Sequence, residues 1–118
     1  MFIFVYGSLK KNKKLHYYLK TAEFIAEAKT CFSYPLILSK SGWYPYLLNM
    51  KNRGKQIKGE IYKLDYTLLK CLDRLEEVPH YYVRKKVCVR INGKSREVWC
   101  YFAKKTKKFL KKELMDEF

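Results

Sequence analysis

The chain has 118 residues, carries a net charge of +15 and is 17% aromatic. That length suits one domain with a single core, and the apolar content excludes intrinsic disorder. No run approaches the ~20 apolar residues of a membrane helix, and residues 1–6 lack the basic leader and long apolar centre of a signal peptide.

The charge comes from 21 lysines against 5 arginines, spread along the whole chain. Arginine is the residue that reads guanine edges and stacks on bases. The balance therefore predicts weak non-specific association with polyanions and no specific nucleic-acid partner. Cys31, Cys71, Cys88 and Cys100 show no C-x-x-C spacing, and His16 and His80 lie far from them in sequence. No zinc site is read, and the thiols are expected to be reduced in a cytoplasmic protein.

Phe2-Ile3-Phe4-Val5 is a short continuous apolar run, the pattern of a buried strand. It ends in Tyr6-Gly7-Ser8, a tight loop whose backbone N–H groups could form an anion-binding nest or belong to an ordinary strand-to-helix turn. Asn12 is expected to cap a helix bearing Leu15, Tyr18, Leu19 and Ala22. Strands are predicted over residues 23–30, 32–38 and 44–50, the last two separated by Ser39-Lys40-Ser41-Gly42. Another follows over 57–64, where Gly59 suggests a bulge or a close backbone approach.

The best-defined element is a helix beginning at Asp65, a candidate N-cap, with Leu64 and Leu69 as a hydrophobic staple. Leu68, Leu69, Leu72 and Leu75 recur at helical spacing. At about 100° per residue Glu76 falls between Leu69 and Leu72 on the apolar face, while Glu77 falls toward Lys70 and Arg74 on the polar one. Pro79 should stop the helix near Glu77. A carboxylate on the apolar face either pairs with one of the lysines or points into a cavity. In a cavity, desolvation raises its pKa toward the working range of a general base.

Strands over 82–91 and 97–102 flank Asn92-Gly93-Lys94-Ser95. A four-residue loop is expected, because it pairs Val89 with Val98 and Val87 with Cys100. The tail, residues 104–118, is basic and then acidic, an order that opposes the helix dipole. Phe109, Leu110 and Leu114 could still form a short surface helix or a membrane-facing stripe. Together these elements predict an α+β domain built on a small curved sheet or barrel.

Three separated pieces carry a resemblance. Val5-Tyr6-Gly7-Ser8-Leu9 resembles the Tyr-Gly-Ser/Thr-Leu substrate loop of the γ-glutamylcyclotransferase-like family, which includes γ-glutamylamine cyclotransferases. Leu72-Asp73-Arg74-Leu75-Glu76, followed by Val78-Pro79, is similar to that family's catalytic Leu-Asp-x-x-Glu segment. Tyr82-Val83-Arg84 and Tyr101 match its Tyr-x-Arg and a late strand tyrosine. The similarity spans residues 1–103, with residues 104–118 as a basic tail beyond it. The family usually has Gly where this chain has Glu77.

The resemblance implies a small mixed β-barrel with flanking helices, no metal and no organic cofactor. It implies a small-molecule γ-glutamyl substrate, no membrane partner, and cyclisation to 5-oxoproline with release of an amine. Glu76 would be the general acid/base. Tyr6, Gly7, Ser8, Leu9, Tyr82 and Tyr101 would bind substrate. The leaving group could be an amino acid, an isopeptide lysine, a simple amine or a peptide. The alternative on the same fold is a catalytically silent binder of γ-glutamyl-like ligands.

Overall fold

The computed structural model describes residues 1–105 and 107–118. Among these residues lie seven strands and one α-helix: β1 (Phe2–Val5), β2 (Glu23–Tyr34), β3 (Leu36–Leu38), β4 (Pro45–Leu47), β5 (Lys55–Lys63), α1 (Tyr66–Leu75), β6 (Tyr82–Ile91) and β7 (Lys94–Ala103). Five strands close a barrel in the order β1-β5-β2-β6-β7, and β3 and β4 form a separate two-stranded sheet. All barrel pairings are antiparallel except β1 with β7, which meet in parallel at Ile3 and Trp99. The expected mixed barrel is what forms.

β1 is apolar at every position because it is buried on both faces. Phe4 points into the barrel with Ile57, Ile61, Val87, Val98 and Phe102. Ile3 and Val5 point outward, into a second core with Leu69 and Leu72 of α1 and with Tyr62 and Tyr101. Helix and barrel are thus joined through the strand that leads into the Tyr-Gly-Ser loop. Where β1 leaves its ladder it crosses Gly59 of β5. A Cβ there would overlap the Val5 carbonyl oxygen and lie 2.6 Å from the Phe4 ring, so close approach, rather than a bulge, explains the glycine.

The irregularity lies instead in β2, whose register shifts twice against β5. Thr30, fully buried, satisfies part of that interruption. Its hydroxyl accepts from Ile57 N–H at 2.8 Å and donates to the Phe32 carbonyl at 2.6 Å. β2 then continues to Tyr34, past the predicted break at residue 30.

Four expectations need correction. Asn12 caps nothing: it takes a left-handed φ of 66°, and only a 3-10 turn, His16–Leu19, follows. The run Lys10-Lys11-Asn12-Lys13-Lys14 crowds like charges at helical spacing, and Leu15 N–H turns back to the Ser8 carbonyl at 2.9 Å. The β6–β7 hairpin has a two-residue turn, pairing Ile91 with Lys94 and Val89 with Arg96. Asn92 and Gly93 both have positive φ, 51° and 82°, the requirement of a type I′ turn. Arg96 is tolerated opposite Val89 because its guanidinium lies 3.9 Å over the Phe2 ring.

Cys31 and Cys88, expected as thiols, form a disulfide with Cα atoms 5.4 Å apart. Adjacent strands bring them together across 57 residues, which spacing in sequence does not reveal. The tail forms no surface helix beyond the 3-10 turn Lys111–Glu113. It runs along the barrel instead: Met115 N–H donates to the Leu36 carbonyl, and Lys58 N–H to the Asp116 carbonyl. Phe109 and Leu114 pack against Ile37, Leu48 and Ala103. Among the described residues no helix is long and apolar enough to cross a membrane.

Candidate active site

α1 begins as its sequence dictates. Asp65 accepts from Leu68 N–H at 2.8 Å, and Leu64 and Leu69 share the core beneath it. Its end is more informative. Glu76 is the C-cap, and Glu77 follows in the left-handed region at φ 52°. Glu77 N–H returns to the Arg74 carbonyl at 3.1 Å and Val78 N–H to the Asp73 carbonyl at 2.9 Å. This is a complete Schellman motif, and its left-handed position is the one glycine normally fills.

The departure at Glu77 is therefore a change at the helix stop, with an energetic sign. Replacing Glu77 with Gly should raise stability by about 1 kcal/mol, or roughly 3–5 °C in melting temperature. A melting temperature that falls would mean that Glu77 makes a compensating interaction.

A cavity of about 640 Å³ opens where this helix end meets the Tyr-Gly-Ser loop and the β3–β4 sheet. Tyr6, Gly7, Ser8, Leu9, Glu76, Tyr82 and Tyr101 all line it, so every candidate residue from the sequence meets at one place. Among the described residues no lysine or arginine comes within ion-pair distance of Glu76, which decides between the two readings of that carboxylate. Burial pushes it up to about 7. Glu77 is exposed and sits at the rim.

The loop is fixed by its own turns. Lys10 N–H donates to the Gly7 carbonyl at 3.0 Å, and the His16 ring donates to the Leu9 carbonyl at 2.9 Å. The N–H groups of Ser8 and Leu9 find no acceptor among the described residues. Gly7 has a second role. A Cβ there would stand 3.0 Å from the Pro45 ring, and the Pro45 carbonyl accepts from the Tyr82 hydroxyl at 3.2 Å. Gly7→Val should therefore displace both the loop and the Tyr82 wall. We expect ligand affinity to fall at least tenfold with the circular dichroism spectrum near native. Unchanged affinity for a γ-glutamyl ligand would remove the loop from the site.

The sequence reading assigned no role to Asp73, which it quoted only inside the Leu-Asp-x-x-Glu segment, nor to Tyr44, Tyr46, Lys105 and Lys107. The last four also line the cavity. Tyr46 stacks on Tyr82 with ring centroids 6.5 Å apart, and Lys107 Nζ lies 4.7 Å over Tyr46. Asp73, nearly buried, accepts from Arg84 Nε at 2.8 Å, Arg84 Nη2 at 3.1 Å and the Tyr101 hydroxyl at 2.7 Å. A signal existed: Asp73 is three residues before Glu76, hence on the same side of the helix, and a carboxylate so placed needs a partner. Burial alone would raise Asp73, but the hydrogen bonds from Arg84 and Tyr101 and the Arg84 charge outweigh it and hold the acid below its ordinary range.

The family model for γ-glutamyl cyclotransferase, AIG2-like proteins matches residues 3–117. The chain belongs to that family. The match extends through the tail that packs along the barrel. A γ-glutamylaminecyclotransferase A of Danio rerio is 38% identical over 107 residues, covering 84% of this chain and 66% of that protein. The Bos taurus γ-glutamylaminecyclotransferase is 34% identical over 104 residues, 84% of this chain and 62% of its own length. The chain thus spans about two thirds of the length of these relatives. The crystal structure of an AIG2-like protein from Mus musculus superposes with a TM-score of 0.86 at 27% identity, covering 99% of this chain and 86% of that one. The barrel and α1 are thus those of an AIG2-like fold.

Proposed function

We propose that the protein cyclises γ-glutamyl amines or peptides to 5-oxoproline with release of the amine, Glu76 serving as general acid/base. The observation that carries this is a carboxylate with no cationic partner among the described residues. It has a pKa of about 7 and sits in a cavity it shares with the backbone donors of Ser8 and Leu9. The names of the relatives support the same chemistry.

The reaction asks little more of a protein. In the donor, nucleophile and electrophile belong to one molecule, so folding it into a near-attack shape is worth roughly 7–11 kcal/mol. Glu76 takes a proton from the α-ammonium. The freed amine attacks the γ-carbonyl carbon, forming the ring N–C bond. The N–H groups of the loop stabilise the developing oxyanion or hold the donor carboxylate. Glu76 returns that proton to the leaving nitrogen as its C–N bond breaks, and the second proton still on the ring nitrogen passes to the released amine, leaving 5-oxoproline and an ammonium product.

This reading has no sequence-specific nucleic-acid partner. It is supported by a positive charge carried by 21 lysines and only 5 arginines, arginine being the residue that reads base edges. The deciding experiment measures 5-oxoproline release across a panel of γ-glutamyl amines, isopeptides and peptides. Binding of these donors without release of 5-oxoproline would make the protein a silent γ-glutamyl binder.

A further inference from the structure

We propose that Asp73 is a positioning residue that fixes the Tyr101 hydroxyl as an acceptor for the donor's cationic α-ammonium. The proposal rests on the cyclisation reading for the identity of the ligand and deepens it. It starts from where the phenol protons go. A carbonyl or carboxylate oxygen can only accept, so each partner identifies its tyrosine as the donor. Tyr6 donates to the Tyr101 carbonyl at 2.6 Å, Tyr82 to the Pro45 carbonyl at 3.2 Å, and Tyr101 to Asp73 Oδ1 at 2.7 Å.

Each phenol has one proton, and in all three it is committed to the protein. What the three oxygens have left is lone pairs. Tyr6, Tyr82 and Tyr101 line the cavity with Glu76, so beside Lys105 and Lys107 it offers acceptors that suit a group with several N–H donors and a positive charge. A primary ammonium has three. The loop N–H groups of Ser8 and Leu9 supply the opposite polarity, suited to a carboxylate or an oxyanion. An α-amino acid head carries both polarities.

Of the three commitments, only that of Tyr101 depends on a side chain. Asp73 is largely taken up: Oδ1 accepts from Arg84 and Tyr101, and Oδ2 accepts from the second arm of the Arg84 fork. Trp99, 4.3 Å beneath the guanidinium, fixes that fork from below. A buried ion pair of this kind contributes little net stability compared with apolar packing, so orientation of Tyr101 is the effect that remains. Tyr101 stands close enough to Glu76 for the carboxylate to be among the influences raising its phenol, burial being the first.

The test compares two ligands in the Glu76→Gln background, where turnover does not interfere. One is γ-glutamylethylamide; the other is glutaric monoethylamide, identical except that it lacks the α-amine. Calorimetric affinity for the first should fall about tenfold in Tyr101→Phe and in Asp73→Asn, and affinity for the second should stay within about twofold. The amide of Asp73→Asn can donate to Tyr101 and turn the phenol proton into the cavity. The double variant should be no worse than Tyr101→Phe alone. Should Asp73→Asn fail to fold, Asp73→Ala combined with Arg84→Met, which removes the acceptor together with the cation it would strand, replaces it with the same expectation. Equal losses for both ligands, no loss, or additive losses in the double variant would overturn the proposal. Binding of γ-glutamylethylamide with this pattern, but no 5-oxoproline from the unmutated protein, would overturn the cyclisation reading and leave this one in place.

Discussion

Glu76→Gln should lose on the order of 10²–10⁴ in turnover and become more stable above neutral pH. Gln keeps the size and hydrogen-bonding capacity of Glu but cannot carry a proton between two nitrogens. The stability gain follows from burial. Glu76 titrates at about 7 against an ordinary value of 4.5. Below pH 4.5 folded and unfolded chains are both protonated there, and the substitution confers no advantage. Between 4.5 and 7 the unfolded chain ionises first, so the unmutated protein loses stability as pH rises. Above 7 the whole penalty is present, about 3 kcal/mol, and Gln escapes it.

The same titration shapes the rate. On the proposed mechanism Glu76 must be ionised before substrate binds, so kcat/KM should fall about tenfold per pH unit below 7. Steady-state kinetics and thermal melts at pH 5 and 8 check both halves. Turnover within tenfold of the unmutated protein would refute Glu76 as the acid/base. A melting curve with no pH-dependent gain would mean that its carboxylate is solvated.

Gly59→Ala should cost about 3 kcal/mol, at the upper end for overpacking, and lower the melting temperature by roughly 10–15 °C. The added methyl group meets backbone, the Val5 carbonyl, and the Phe4 ring. Neither is the loose end of a flexible side chain. β1 would have to lift from β5, and it carries the Tyr6–Leu9 loop with it. Gly93→Ala is the control: its φ is 82° but nothing lies within 4 Å of the new atom, so it should cost only about 1 kcal/mol. If the two substitutions cost the same, β1 can shift without penalty and the crossing is not tight.

What could be read from the sequence was what short-range periodicity controls. The leucine stripe placed α1, its cap and the direction of Glu76, because a helix converts spacing into angle directly. The buried β1 and the loop after it were equally plain. What escaped depends on partners distant in sequence or on a local rule overriding a pattern. Val89 and Val98 invited a pairing that the positive φ preference of Asn92-Gly93 overruled. Cys31 met Cys88 only because β2 and β6 are neighbours in the barrel. Asp73 stood in the sequence as part of the Leu-Asp-x-x-Glu segment, and its partners appeared only when β6 and β7 brought Arg84 and Tyr101 to it. The tail's few apolar residues suggested a helix of their own, yet they are better buried against Ile37 and Leu48 than displayed on a solvated turn.

The parallel contact between β1 and β7 has a consequence for the order of assembly. Its partners, Ile3 and Trp99, stand nearly a full chain length apart, and the Tyr6–Tyr101 hydrogen bond spans 95 residues. Closing so long a loop costs entropy before any contact repays it. α1, whose stabilising contacts begin with its own cap and leucines, can form early, but the cavity beside it cannot. During synthesis, Glu76 emerges and enters its helix while the wall opposite is still unmade. The cavity is therefore walled only when the last barrel strand docks beside the first.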